Sequence, residues 1–213
     1  MAILHSQGES QDVRKHLLAA TAALAVCIAA PAAKAAFIDF EDGEIPNAVG
    51  AFYAGQGVTF SNTQFTWVYG FPGASGFTGI RATGTFMFGI GEAVVGVFSA
   101  AVSSVSIVGI DVGAAGLRID AYDAEVGGNL VSFGEAFGIG LGIGETYTIS
   151  ASGAGIRRFE IYQPIVDGYD GVLMDNLSFT LAAVPGPASL AVFGMGLLGL
   201  GMAVRRRGMP VRA

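Results

Sequence analysis

Leu117-Arg118-Ile119-Asp120-Ala121-Tyr122 alternates apolar and polar side chains over six residues. Successive side chains of an extended strand point to opposite faces, so Leu117, Ile119 and Ala121 share one face and Arg118, Asp120 and Tyr122 the other. This is the pattern of a strand with one face in a core. Ile156 to Tyr162 and Met174 to Leu181 behave similarly, with Phe159, Ile161, Leu177, Phe179 and Leu181 as expected core residues. Between the two ends of the chain, no stretch carries a 3.6-residue apolar period over three turns.

Working outward, further strands are expected at Phe37–Phe40, Gly57–Ser61, Gln64–Val68, Thr85–Phe88, Ala93–Phe98, Val102–Ile110, Leu130–Phe133 and Thr146–Ser150. Gly-rich and Asp-rich turns separate them, and the chain's 33 glycines are about twice the usual ~7%. Ten or eleven short strands in one domain point to an all-β fold, an antiparallel β-sandwich of jelly-roll-like form. The run Gly138-Ile-Gly-Leu-Gly-Ile-Gly144 has no helix after it and no phosphate-anchoring Lys, so it reads as a loop between strands and not as a nucleotide-binding turn.

Between residues 36 and 183 stand fifteen Asp and Glu against four Arg, a net charge of −11. Such a body repels phosphate backbones, which excludes nucleic acid as an expected partner. Divalent cations and neutral glycans are electrostatically easier. The single cysteine, Cys27, and both histidines, His5 and His16, precede residue 36, so the body has no thiol and no imidazole. Val26 before Cys27 is too large for the usual lipidated-Cys pattern.

The two ends differ from the body. Arg14 and Lys15, the apolar run Leu17 to Ala30, and the small residues Ala33 and Ala35 form a secretory signal peptide, residues 1–35, cleaved before Ala36. Fourteen apolar residues give roughly 21 Å of helix, short of a bilayer core of about 30 Å. At the other end come Val184-Pro185-Gly186-Pro187, the uncharged stretch 188–204, and Arg205-Arg206-Arg207. The prolines present an extended backbone, the apolar run is expected as a transmembrane helix, and the arginines hold the cytoplasmic side.

Val184-Pro185-Gly186-Pro187-Ala188-Ser189-Leu190, followed by the Leu/Gly-rich run and the arginines, resembles the PEP-CTERM sorting signal, with Gly186 where that family usually has Glu. The resemblance implies recognition by an exosortase, a membrane cysteine protease of exopolysaccharide-producing Gram-negative bacteria. It implies an inner-membrane intermediate, then release or transfer to the cell surface. The expected organisation is a signal peptide at 1–35, a β-sandwich at 36–183 and a sorting signal at 184–213.

Within the body, Asp39, Glu41 and Asp42 lie at the first strand and Asp175 with Asn176 opens the last. Asp39, Glu41 and Asp175 are the candidate calcium ligands, since hard carboxylate oxygens suit that ion; solvating surface acids and turn formers are the other reading. The body loosely resembles carbohydrate-binding jelly rolls, whose first and last strands often run adjacent and hold a structural calcium. Asp167-Gly168-Tyr169-Asp170-Gly171 departs from EF-hand spacing and reads as a turn. Trp67, Tyr69 and Phe71, near Tyr53, form an aromatic-rich segment before Pro72-Gly73, suited to stacking on sugar faces or to a core.

The expected function is that of an exported cell-surface or matrix protein with a non-enzymatic domain whose candidate ligands are exopolysaccharide and calcium. The alternative is a secreted polysaccharide hydrolase using paired carboxylates.

Overall fold

Residues 34–166, 170–183 and 196 are described by the computed structural model of the chain. The body, Ala33–Ala182, is one unit. Its described residues form nine strands: β1 Ala35–Ile38, β2 Val58–Ser61, β3 Thr63–Trp67, β4 Thr78–Ala82, β5 Val94–Ile110, β6 Leu117–Tyr122, β7 Leu130–Ala136, β8 Thr146–Tyr162 and β9 Leu173–Leu181. All pairings are antiparallel. The strand order is β3-β4-β9-β5-β8-β6-β7, with β1 on β9 and β2 on β5. The all-β antiparallel expectation is met.

Two pairs of expected strands are joined. Ala93–Phe98 and Val102–Ile110 are the two halves of β5, and Thr146–Ser150 and Ile156–Tyr162 are the two halves of β8. Each half of β5 keeps β8 on one side but has its own partner on the other: β2 pairs Val95–Phe98, and β9 pairs Val102–Ile110. The register shifts between Val97 and Ser104, opposite a stretch holding Gly153 and Gly155. Such irregularities bend a strand, and here the bend lets one strand serve two neighbourhoods.

Two further corrections concern single elements. Thr85–Phe88 is not a strand: the Thr85 hydroxyl donates to the Met87 carbonyl (2.7 Å), and the Phe88 N–H donates to the Gln163 side chain (3.1 Å). Strand β4, Thr78–Ala82, was not among the expected strands. Gly79 is required there, since a Cβ would sit 2.5 Å from the Met174 carbonyl oxygen of neighbouring β9.

The core holds the residues expected from the alternation. Leu117, Ile119, Ala121, Phe159, Ile161, Leu177 and Phe179 are buried, and Leu181 packs at its margin. Phe98 contacts Phe159 and Phe179 with ring centroids 5.4 and 4.9 Å apart, tying β5, β8 and β9 together. Burying each such ring stabilises the fold by about 1.5–3 kcal/mol. Gly96 makes room, for a Cβ there would lie 2.1 Å from the Phe159 ring. On the opposite face of β6, Asp120 is covered: Arg118 pairs with it at 2.8 Å and the Tyr162 hydroxyl donates to it at 3.0 Å.

Among the described residues no helix is long and apolar enough to cross a membrane. The sorting motif Val184–Pro187, the expected helix 188–204 (save residue 196), Arg205–Arg207 and most of the signal peptide lie outside the described residues.

Candidate functional site

The segment joining β3 to β4, residues 68–77, folds back as a strap. Gly70 and Gly73 adopt positive φ, of 84° and 82°, at its turns. Its inner side is apolar: Val68, Phe71 and Ala74 pack on Ile110, Leu173 and Val108 as a small second cluster apart from the main core. Its neck closes where the Val68 N–H donates to the Phe77 carbonyl at 3.0 Å.

The aromatic side chains divide between strap and core. Trp67 at the end of β3 is 64% exposed, and Tyr69 on the strap is 67% exposed. Tyr69 stacks on Phe77, also exposed, with centroids 4.5 Å apart and planes 6° from parallel. Phe71 turns inward to the small cluster, and Tyr53 is buried, its hydroxyl donating to Asp42 at 2.7 Å. Burial first, then this hydrogen bond, raises the Tyr53 phenol above its ordinary range. Phe77 was not singled out in the sequence; its only signal was an aromatic flanking the same Pro-Gly turn as Tyr69.

The acids singled out at the two ends of the body meet at this strap, because β1 pairs with β9. Asp175, fully buried in β9, accepts the Ser75 N–H and hydroxyl on Oδ2, at 2.7 and 2.9 Å, and the Asn176 N–H on Oδ1 at 2.7 Å. Glu41, three residues past β1, accepts the Phe77 N–H at 3.0 Å and the Thr78 N–H at 3.1 Å. Asn176 donates to the Gly73 carbonyl at 3.4 Å. Asp39 lies beside them: its carbonyl accepts the Ser75 hydroxyl at 3.5 Å and its carboxylate the Glu41 N–H at 3.3 Å. Burial raises the Asp175 carboxyl above the usual range; its hydrogen bonds from Ser75 and Asn176 oppose this, and Glu41 adds repulsion.

Asp39, Glu41 and Asp175 therefore share one neighbourhood, with Glu41 and Asp175 directed onto strap N–H groups. Among the described residues no group of three or more Asp, Glu, His or Cys side chains is placed to hold a metal ion. Of the turn at 167–171, residues 167–169 lie outside the described residues; Asp170 is buried and accepts the Ala115 N–H at 2.9 Å.

Of the signal-cleavage residues, Ala33 lies outside the described residues. Ala35 and Ala36 open β1 opposite Thr180 and Phe179, beside a shallow depression of about 240 Å3 bordered by Ser104, Ser106 and Ser178. The glycine run 138–144 is a loop between β7 and β8, as expected. Gly138 and Gly142 press on the backbone of Val112 and Gly113, and Ile139 and Ile143 point into solvent.

Chemically, the strap offers aromatic faces and hydrogen-bonding backbone. Flat exposed rings held by a rigid base suit the apolar face of a sugar ring.

The chain matches no protein-family model and has no significant match among curated proteins. Among solved structures, the body is similar to the K2 cleaved adhesin domain of Lys-gingipain, at 10% identity over 70% of this chain and 100% of that one, with a TM-score of 0.47. It is also similar to a family 6 carbohydrate-binding module studied for its binding sub-sites, at 13% identity over 69% of this chain and 94% of that one, with a TM-score of 0.37. The same figures hold for a Clostridium stercorarium module, CsCBM6-3, solved in complex with cellobiose.

Proposed function

We propose that the chain is an exported cell-surface or extracellular-matrix protein whose β-domain is non-enzymatic and binds extracellular polysaccharide through the strap. The observation that carries the binding half is the exposed aromatic set Trp67, Tyr69 and Phe77 on an anchored loop. Large rings left in water lose the benefit of burial, and a carbohydrate face that covers them restores it. The acidic balance of the body favours a neutral glycan over a polyanion. The domain reads as a jelly-roll-like sandwich, supported by the change of partner along β5 from β2 to β9.

The delivery half rests on the sequence. Val184-Pro185-Gly186-Pro187, the apolar run and Arg205–Arg207 supply an address that an exosortase-type protease reads, and residues 1–35 supply the export signal. Mass spectrometry of the protein recovered from its own cells should give an N-terminus at Ala36 and a C-terminus within 184–187. Recovery of unprocessed chains alone would refute this half. For the binding half, affinity electrophoresis through gels containing the host's exopolysaccharide should retard the protein, and Trp67→Ala should restore its mobility. Equal mobility in gels with and without polysaccharide would refute it.

A further inference from the structure

We infer that Glu41 and Asp175 are positioning residues for the aromatic strap: as carboxylates they hold the Tyr69–Phe77 platform in place, and neutralising either one loosens it and weakens carbohydrate retention. This deepens, and rests on, the reading of the strap as the carbohydrate-contact surface.

Three strap donors and the first of β4 end on these two side chains: the Ser75 N–H and hydroxyl on Asp175, and the Phe77 and Thr78 N–H groups on Glu41. They bracket the part of the strap that carries Phe77, and Phe77 carries the stack with Tyr69. Hydrogen bonds to an ionised acceptor are roughly twice as strong as neutral ones. Chain geometry is adapted to the contact, since a Cβ on Gly76 would lie 2.5 Å from the Glu41 carboxyl carbon.

Glu41, in the segment after β1, is the charge that acts on Asp175, and it is of like sign; β5 presents Val108 at its register position, and the strap brings Ser75. Among the described residues no Arg or Lys forms an ion pair with Glu41 or Asp175. The buried charge is therefore sustained by the strap's own donors. Coupling of this kind is reciprocal: an ordered strap favours the carboxylate, and the carboxylate favours an ordered strap.

A purely structural acid would behave differently. Its loss would lower global stability and disturb the strap only as part of general loosening. Both oxygens of Asp175 accept, so Asp175→Asn sets an amide NH2 against one group of donors and weakens the latch at that point.

The test uses the full-length protein as exported and processed by its host, comparing wild type with Asp175→Asn, Glu41→Gln and Ser75→Ala at one neutral pH. Hydrogen exchange is read at the Ser75, Phe77 and Thr78 amides, and iodide quenching at Trp67, the chain's single tryptophan. Exchange should quicken at least tenfold at Ser75 in Asp175→Asn and at Phe77 and Thr78 in Glu41→Gln, while the amides of β5 and β8 keep their wild-type rates. Retention in exopolysaccharide gels should fall in both, and less in Ser75→Ala. Unchanged exchange in Glu41→Gln and Ser75→Ala overturns the latch even if Asp175→Asn fails to fold. Faster exchange with retention equal to wild type, in these variants and in Trp67→Ala, sustains the latch and overturns the carbohydrate reading instead.

Discussion

Tyr69 and Phe77 face each other across the strap, their rings nearly parallel at 4.5 Å, although both are more than half exposed. Each ring covers one face of the other and leaves its remaining surface to solvent. Trp67, one residue before the neck, adds a third exposed ring.

Truncating these rings separates binding from folding. Trp67→Ala and Tyr69→Ala should each weaken retention on exopolysaccharide by roughly three- to tenfold, the loss of one aromatic contact. Surface changes of this kind should shift unfolding free energy by no more than about 0.5 kcal/mol. Urea unfolding alongside affinity electrophoresis checks both halves; a large stability loss would make Trp67 a core residue in effect.

Acidity should act on Asp175 with opposite signs for fold and strap. Its folded pKa is raised, so the native state holds its proton to higher pH than the unfolded chain does. Its ionised form costs stability at neutral pH, and the cost is relieved as pH falls through the raised value toward the ordinary 3.8. The melting temperature of the wild type should therefore gain on that of Asp175→Asn as pH falls from 7 toward 4. A wild type that loses ground toward low pH would contradict the sign.

Alkali should weaken the domain through its tyrosines. Burial pushes Tyr122 up to about 12, and Tyr162 is also raised, chiefly by burial. Their protons leave the unfolded chain near the ordinary 10.0 and the folded chain later, so stability present below that pH is lost as pH rises toward 12. Urea midpoints at pH 9 and 11, read with phenolate absorbance, should show a lower midpoint at pH 11 and titration completed only on unfolding.

Two glycines of the 138–144 loop should respond unequally to alanine. Both have positive φ, 70° at Gly142 and 81° at Gly144. At Gly144 no atom lies within 4 Å of the added Cβ, so the cost is the left-handed backbone alone, about 1–2 kcal/mol. At Gly142 the Cβ would meet the Val112 carbonyl carbon at 2.2 Å, and the loss should be at least twice as large. Denaturant midpoints of the two variants decide this.

Chelation should leave the melting temperature unchanged, because Glu41 and Asp175 are already engaged by strap donors. A rise of several degrees with millimolar calcium, reversed by EDTA, would return Asp39, Glu41 and Asp175 to the role of ion ligands.

The sequence revealed the core better than it revealed the connections. Period-two alternation located Leu117, Ile119, Phe159 and Leu177 because burial on one face leaves a local trace. It did not show that β5 and β8 each run through a bend, since Ser99-Ala100-Ala101 and Gly153 look like turns until a partner strand is in view. β4 was hidden by Gly79, whose reason is the Met174 carbonyl far along the chain. The acids and the aromatics were each visible, but their meeting at Ser75 and Phe77 depends on contacts 36 to 100 residues apart.

The pairing of β1 with β9 also sets the order of assembly. Ala35 lies opposite Thr180, 145 residues later, so a chain emerging N-terminus first from a ribosome or a membrane pore has no seat for its opening strand until the final one has followed. Glu41 and Asp175 meet only at that moment. The strap is thus the last part to be locked, and a chain stalled midway through emergence would present the rings unfastened.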